Sequence, residues 1–304
     1  MHKTCLKTII LLKGMTQMKS NIRISSDNFT NLVNTFKQNG WDIPEKDALN
    51  ESRFNRFCER LSLLDSKEQA LVIELTKNFT VINGNDYISQ IIDLLNQLNE
   101  QKLDLFINKN RFFILPLIAP KDKAKTKSSS FMWYYFKDER IKYNQLFKSK
   151  QLIYYDPTNF HKIKKLGHND AVILLDDYVG SGETAIEAIN WLSDKYKIKQ
   201  KKIIVLTIAA QKQGIDAVLK QCKVHFFTHL IRQKGITDVY SKNDLDDKVK
   251  IMNSIEQKLK IENKFHFGYN ESEALISLIR TPNNTFPVFW KTDEKNAIAP
   301  FPRN

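Results

Sequence analysis

Residues 172–184, VILLDDYVGSGET, constrain the fold and the chemistry of this chain more than any other stretch. An apolar run, Ala171 to Leu175, leads into two adjacent acids, Asp176 and Asp177. A turn holding Gly180, Ser181 and Gly182 follows, and then a helix that begins near Glu183. So short an apolar run suits a strand buried on both faces, as in a parallel sheet. Ligands of open parallel sheets bind outside the carboxyl ends of the strands, where these acids fall. The Gly-rich turn lets backbone N–H groups approach a phosphate closely. The helix N-terminus adds free N–H donors and the positive end of a dipole. Ser181 and Thr184 add hydroxyls. The two acids repel a phosphate, but they accept hydrogen bonds from sugar hydroxyls one ribose length away. Acids first and phosphate turn second is the layout for a ribose 5-phosphate. The structural alternative is an acidic turn that caps a helix.

The flanking sequence repeats the strand–helix alternation. Further apolar runs occur at 111–118 (RFFILPLI), 202–209 (KIIVLTIA) and 224–230, and amphipathic helices are expected at 184–196 and 215–219. This pattern predicts an α/β domain over 105–304, with a parallel sheet covered on both faces. Residues 18–104 read differently, as an all-α module that holds a partner or an oligomer. There, Ser66 to Gln69 reads as a capping box with Ser66 as N-cap and Gln69 reaching back. Asp86 opens a helix with an apolar face of Tyr87, Ile88, Ile91, Ile92, Leu94, Leu95 and Leu98, and Trp41 anchors the first helices. Met18 reads as the start, with residues 1–17 a mis-assigned leader: the run Ile9 to Leu12 is too short for a signal peptide or a membrane span. Cys5, Cys58 and Cys222 have no zinc, redox or disulfide spacing, which fits a reducing, cytoplasmic compartment.

Charge is unevenly placed. Residues 1–104 hold 13 basic and 13 acidic side chains, whereas 109–165 hold 14 basic and four acidic. A local basic stretch points to anionic partners. Phe131, Trp133, Tyr134, Tyr135, Phe136 and Tyr143 lie among its lysines, an arrangement that can stack bases while cations track phosphates. Nucleic acid is therefore one possible partner through 109–165, against a merely solvated lysine surface. His225 and His229 lie in a run that reads as strand, and Asp244 to Asp247 lack the glycine of a calcium loop.

The segment LLDD-YV-GSGET resembles the phosphoribosyl-pyrophosphate (PRPP) motif of type I phosphoribosyltransferases. That motif is an apolar strand, two acids, two variable residues, then Thr or Gly, Ser or Thr, Gly, any residue and Thr; every position is filled. The resemblance implies a type I phosphoribosyltransferase-like parallel sheet with flanking helices. It implies that Asp176 and Asp177 bind the ribose 2- and 3-hydroxyls and stabilise the transition state. It implies that Val179, Gly180, Ser181, Gly182, Glu183 and Thr184 wrap the 5-phosphate. Leaving pyrophosphate calls for Mg²⁺, brought by the ligand rather than by direct protein ligands. The basic loop after the first strand stands where the family places its pyrophosphate turn, so Lys121, Lys125, Lys127, Ser128 and Ser129 are candidates, with Ser130 beside them. This loop is long and lacks the glycine of better-known members.

The tail around Phe267-Gly268-Tyr269 and Thr281 to Trp290 resembles that of phosphoribosyltransferase-like proteins from prokaryotic anti-phage loci. It implies a transferase effector in antiviral defence. Asn283 and Asn284 become candidate base or phosphate contacts and Trp290 a base-stacking residue; the alternatives are a tight turn and a core plug. Two other functions stay open: a PRPP or nucleotide sensor without turnover, and a nucleic-acid-associated component.

Overall fold

The computed structural model describes residues 23–44, 52–122, 127–156, 159–163, 166–292 and 298–303. The proposed leader, Cys5 and Lys125 lie outside them. The chain divides into two units: one takes the chain up to Phe79 with Tyr240–Asn263 and Pro287–Asn304, the other Thr80–Val239 with Lys264–Phe286.

The first unit is helical. It comprises α1 (Ser26–Gln38), α2 (Arg53–Ser62), α3 (Ser66–Lys77) and, from far along the chain, α10 (Lys242–Lys258) and α11 (Pro287–Trp290). Its centre is aromatic: Trp41 meets Phe36, Phe57, Phe79 and Phe301 edge-on or tilted at 5.2–6.4 Å, and Phe79 stacks on Phe301 at 4.5 Å. Trp41 does anchor these helices. The cap of α3 sits one residue earlier than expected. Asp65 accepts from the Glu68 N–H at 3.1 Å, and Glu68 accepts from the Asp65 N–H at 2.8 Å. Gln69 instead turns inward, where its amide donates to Leu61 and Leu64 carbonyls and accepts from Asn28. The acidic run 244–247 lies in the opening turns of α10.

The second unit is a five-stranded, all-parallel sheet in the order β3-β2-β4-β5-β6. Its strands are β2 (Arg111–Pro116), β3 (Gln151–Tyr154), β4 (Asp170–Val179), β5 (Ile203–Gln211) and β6 (His225–Arg232). A separate two-stranded parallel pair joins β1 (Thr80–Val81) to β7 (Ile276–Ser277). The sheet separates two apolar cores by the two-residue period of a strand. On one face Phe112, Ile114, Ile173, Leu175, Ile204 and Leu206 pack with α4 (Tyr87–Glu100) and with Met132 of α6 (Ser128–Tyr135). On the other, Phe113, Leu115, Val172, Leu174 and Val205 pack with α8 (Glu183–Tyr196) and with Val218 of α9 (Lys212–Gln221). Helices cover both faces, as the alternation required.

Two sequence expectations change here. The chain does not divide at residue 104: α4 belongs to the sheet unit, because its apolar stripe fills the same core as Ile114 and Ile173. Strand β3 was not expected, since QLIY is a short run that is only half buried at an edge. Small helices α5 (Asp104–Ile107) and α7 (Glu139–Lys142) complete the unit.

Candidate functional site

Strand β4 outlasts its neighbour. Strand β2 ends at Pro116, opposite Leu175, while β4 continues beside β5 through Asp176 opposite Thr207 and Val179 opposite Ala210. The two acids therefore begin where one flanking strand stops. They lie inside the strand rather than at its end, and the turn follows three residues later. An open parallel sheet forms its ligand crevice at such a step.

Both carboxyl groups are nearly sequestered, at 9% exposure for Asp176 and 4% for Asp177. The Ser128 hydroxyl donates to Asp176 Oδ1 at 3.3 Å, and the Asp177 N–H donates to the same atom at 3.0 Å. The Tyr87 hydroxyl lies 2.8 Å from Asp177 Oδ2 and donates to it. Burial, then the charge of Asp177, pushes Asp176 well above the ordinary carboxylate range. Burial also raises Asp177, but hydrogen bonds from Ser128 and Tyr87 hold it back. The two acids are thus unlike, with Asp176 the more strongly raised of the pair. Two buried hydroxyls, Ser129 Oγ and Thr207 Oγ1, have no hydrogen-bond partner among the described residues.

The turn after β4 is built for close approach. Gly182 sits at φ +85° and is the N-cap of α8, which therefore starts with no side-chain cap. Only a weak 3.5 Å contact from the Glu183 N–H to Ser181 Oγ occupies the helix entrance. Glu183 and Thr184 are exposed and Ser181 half-buried, so this end of the helix faces solvent. Protein groups also crowd the turn. A Cβ at Gly214 would meet the Gly180 carbonyl at 2.1 Å, and a Cβ at Gly180 would meet Asn284 Oδ1 at 2.1 Å. The two glycines thus serve helix packing and the seat of Asn284 as well as any ligand.

That seat belongs to a loop from the tail. Asn284 Nδ2 donates to the Tyr269 carbonyl at 3.2 Å and to Ser272 Oγ at 2.8 Å. The Tyr269 hydroxyl donates to Glu183 at 2.9 Å, and Asn270 also bonds Glu183. Phe267, Asn270, Glu271 and Glu273 all have positive φ, a conformation that non-glycine residues hold only when their surroundings fix it. Buried Glu273 supplies that fixing: its carboxylate accepts from the N–H groups of Ile236 and Thr237, both at 2.7 Å. The 283–285 stretch is thus a packed turn against Gly180, and Asn283 is half-buried. Trp290 is buried and belongs to the helical unit.

The basic loop gives a different picture. Lys121 donates to Glu187 of α8 at 2.8 Å, and Lys127 pairs with Asp122 at 3.1 Å. Ser128 and Ser129 open α6, with Ser128 directed to Asp176. Among its described residues the loop therefore brings Ser128, rather than its lysines, to the acids. Along α6, Phe131 and Tyr134 are exposed on one face, and Tyr143 is exposed beyond α7, with Lys142 5.4 Å above its ring. His225 and His229 lie on β6 as expected of a strand, and no group of three or more His, Cys, Asp or Glu side chains fit to hold a metal occurs among the described residues. No helix among those residues is long and apolar enough to cross a membrane.

The sequence reasoning missed Tyr87, Thr207, Gly214, Tyr269 and Asn270. Tyr87 was visible only as one residue of an apolar helical face. Gly214 gave no signal, since the helix expected at 215–219 begins one residue after it, whereas the observed helix spans Lys212–Gln221.

Residues 55–303 match the family model PRTase-CE, and the chain belongs to that family. A 62-residue stretch is 32% identical to a uracil phosphoribosyltransferase of Methanococcus vannielii, over 20% of this chain and 26% of that protein. The match spans about a quarter of that relative's length. Among solved structures, an orotate phosphoribosyltransferase from Aeropyrum pernix is 15% identical, with a TM-score of 0.27 over 56% of this chain and 73% of that one. An APRTase from Giardia lamblia bound to 9-deazaadenine is 15% identical, with a TM-score of 0.31 over 49% and 84%. A Helicobacter pylori xanthine-guanine-hypoxanthine phosphoribosyltransferase is 11% identical, with a TM-score of 0.28 over 55% and 97%. These superpositions are loose, so the assignment stands on the family match and on this chain's own parallel sheet and site.

Proposed function

We propose that this member of the PRTase-CE family binds PRPP, or a related ribose 5-phosphate ligand, at the carboxyl end of β4 and transfers its phosphoribosyl group. One observation carries the reading: the acid pair begins where β2 ends, and the uncapped, solvent-facing start of α8 follows six residues on. On this reading Asp176 and Asp177 take the ribose hydroxyls. Residues 179–184 take the 5-phosphate on backbone N–H groups and on the Ser181 and Thr184 hydroxyls.

In the transfer, the bond from ribose C1 to pyrophosphate breaks and its electron pair leaves with pyrophosphate. The acceptor nucleophile forms the new bond to C1. The ring becomes oxocarbenium-like between these events, and a carboxylate beneath it stabilises that charge. The oxygen donors of Asp176, Asp177 and Ser128 suit a ligand that arrives with a hard cation. Mg²⁺ on the ligand would neutralise the departing pyrophosphate. Lys121, Lys127 and Ser129 would contact that pyrophosphate only after the ion pairs of the lysines exchange. The resemblance of the tail supports a part in prokaryotic antiviral defence, with the acceptor a nucleotide, nucleic acid or protein.

A second reading has its own observation. The Asn284 amide fills the space over Gly180, and both described lysines of the pyrophosphate loop are already paired. That favours a sensor that holds the ligand without turnover. Exposed Phe131, Tyr134 and Tyr143 among lysines support nucleic acid as a partner rather than as the central ligand. The test is a pyrophosphate-release assay with PRPP and Mg²⁺, across nucleobases, nucleosides and single-stranded nucleic acid. Release that depends on one acceptor class establishes the transferase. Tight PRPP binding with no release for any of them establishes the sensor.

A further inference from the structure

We propose that Tyr87 is a positioning residue for the acid pair, its hydroxyl fixing the Asp177 carboxylate in the orientation that meets the ribose hydroxyls. The inference rests on the ribose 5-phosphate reading of the site and adds a residue from outside the motif. Tyr87 is the first residue of α4, 90 residues before Asp177 in sequence, and it is fully buried. Its ring packs edge-on against Tyr135 at 5.7 Å within the core beneath the sheet.

The hydrogen bonding around the phenol leaves one arrangement. The Ile279 backbone N–H points at the Tyr87 oxygen at 3.3 Å and can only donate. The single phenolic proton is then free to go to Asp177 Oδ2, at 2.8 Å. Burial and the two nearby carboxylates also push the phenol far above its ordinary value, so it stays protonated as a donor. One oxygen of Asp177 is thereby held from the core side, while Ser128 and the Asp176 carboxyl meet the group from the other side. Asp176 has no tyrosine behind it: it is met by the longer contact from Ser128, by the Asp177 N–H and by the Asp177 carboxyl. The two acids are therefore unlike: Asp177 is anchored from the core through Tyr87, and Asp176 is not.

The test compares ribose 5-phosphate with 2-deoxyribose 5-phosphate, which lacks one of the two hydroxyls, by calorimetric titration of the full chain. Wild type should favour ribose 5-phosphate by about tenfold, the scale of one hydrogen bond to a charged group. Tyr87→Phe keeps the ring and should bring that ratio close to one while binding of the deoxy sugar stays nearly the same. If Tyr87→Phe weakens both sugars equally and the ratio persists, Tyr87 is structural only and the inference is overturned, while the binding reading stands. If wild type binds neither sugar phosphate, the reading and the inference fall together. Should Tyr87→Phe give no cooperative thermal transition, 3-fluorotyrosine at position 87 alone keeps the hydroxyl and the packing but sharpens the donor. A changed ratio then upholds the inference, and an unchanged ratio overturns it.

Discussion

The turn after β4 and the basic loop after β2 lie at neighbouring strand ends, yet they are built on opposite principles. The turn is backbone: Gly180, Gly182 and Gly214 interlock with almost no free space, and an uncapped helix stands behind them. The loop is side chain: Lys121 and Lys127 reach acids that keep them occupied, and among its described residues Ser128 reaches the site. A backbone site is pre-organised and intolerant of added atoms. A side-chain site trades partners and tolerates substitution. The first is what a phosphate that must be held in one place requires, and the second is what a leaving group requires.

The contrast breaks most severely at Gly214→Ala. Its Cβ would lie 2.1 Å from the Gly180 carbonyl, which cannot swing away as a side chain would. Overpacking of this kind should destabilise by roughly 3 kcal/mol in chemical denaturation. Gly180→Ala meets a side chain instead, so Asn284→Ala placed beside it should restore most of the loss. No restoration would show that Gly180 is needed for its own backbone.

Next in size is Asp176→Asn. The folded-state value of Asp176 is raised, so its favourable contribution is present below the unfolded carboxylate value and is lost as pH rises through the higher folded one. Wild type should therefore lose stability relative to Asp176→Asn between a pH near the unfolded carboxylate value, about 4, and a pH well above it. Denaturant melts at the two pH values measure the difference, and a parallel response would mean that the acid pair is solvated. Ser128→Ala follows. It removes a long hydrogen bond, at 3.3 Å, to a buried acid, and should cost about 1 kcal/mol while further raising Asp176. Lys121→Ala should be the mildest. It breaks one exposed ion pair with Glu187, so the melting temperature should not move. If the lysine exchanges onto pyrophosphate, PRPP affinity should fall severalfold in the same protein.

Much of the core site was legible because its parts are adjacent in sequence. The acids, the two glycines and the helix start fall within nine residues, and strand and helix periods bracket them. The partners were not legible because they come from afar. Tyr87 and Asn284 stand 90 and 107 residues from Asp177, and nothing local marks a buried tyrosine as a donor rather than as core. The capping box of α3 shows the same limit at short range. Both Asp65/Glu68 and Ser66/Gln69 satisfy the pattern, and what decided between them was burial of the Gln69 amide against Leu61, Leu64 and Asn28. The fold class was readable from alternation alone, but the unit boundary was not, since an amphipathic helix does not say which core it faces.

The most direct measurement is isothermal titration with PRPP and Mg²⁺, wild type against Asp176→Asn/Asp177→Asn, with thermal melts on both proteins. The account predicts micromolar binding by wild type and none by a double variant that still melts cooperatively. Binding that survives in the folded double variant, or no binding by wild type, would contradict it.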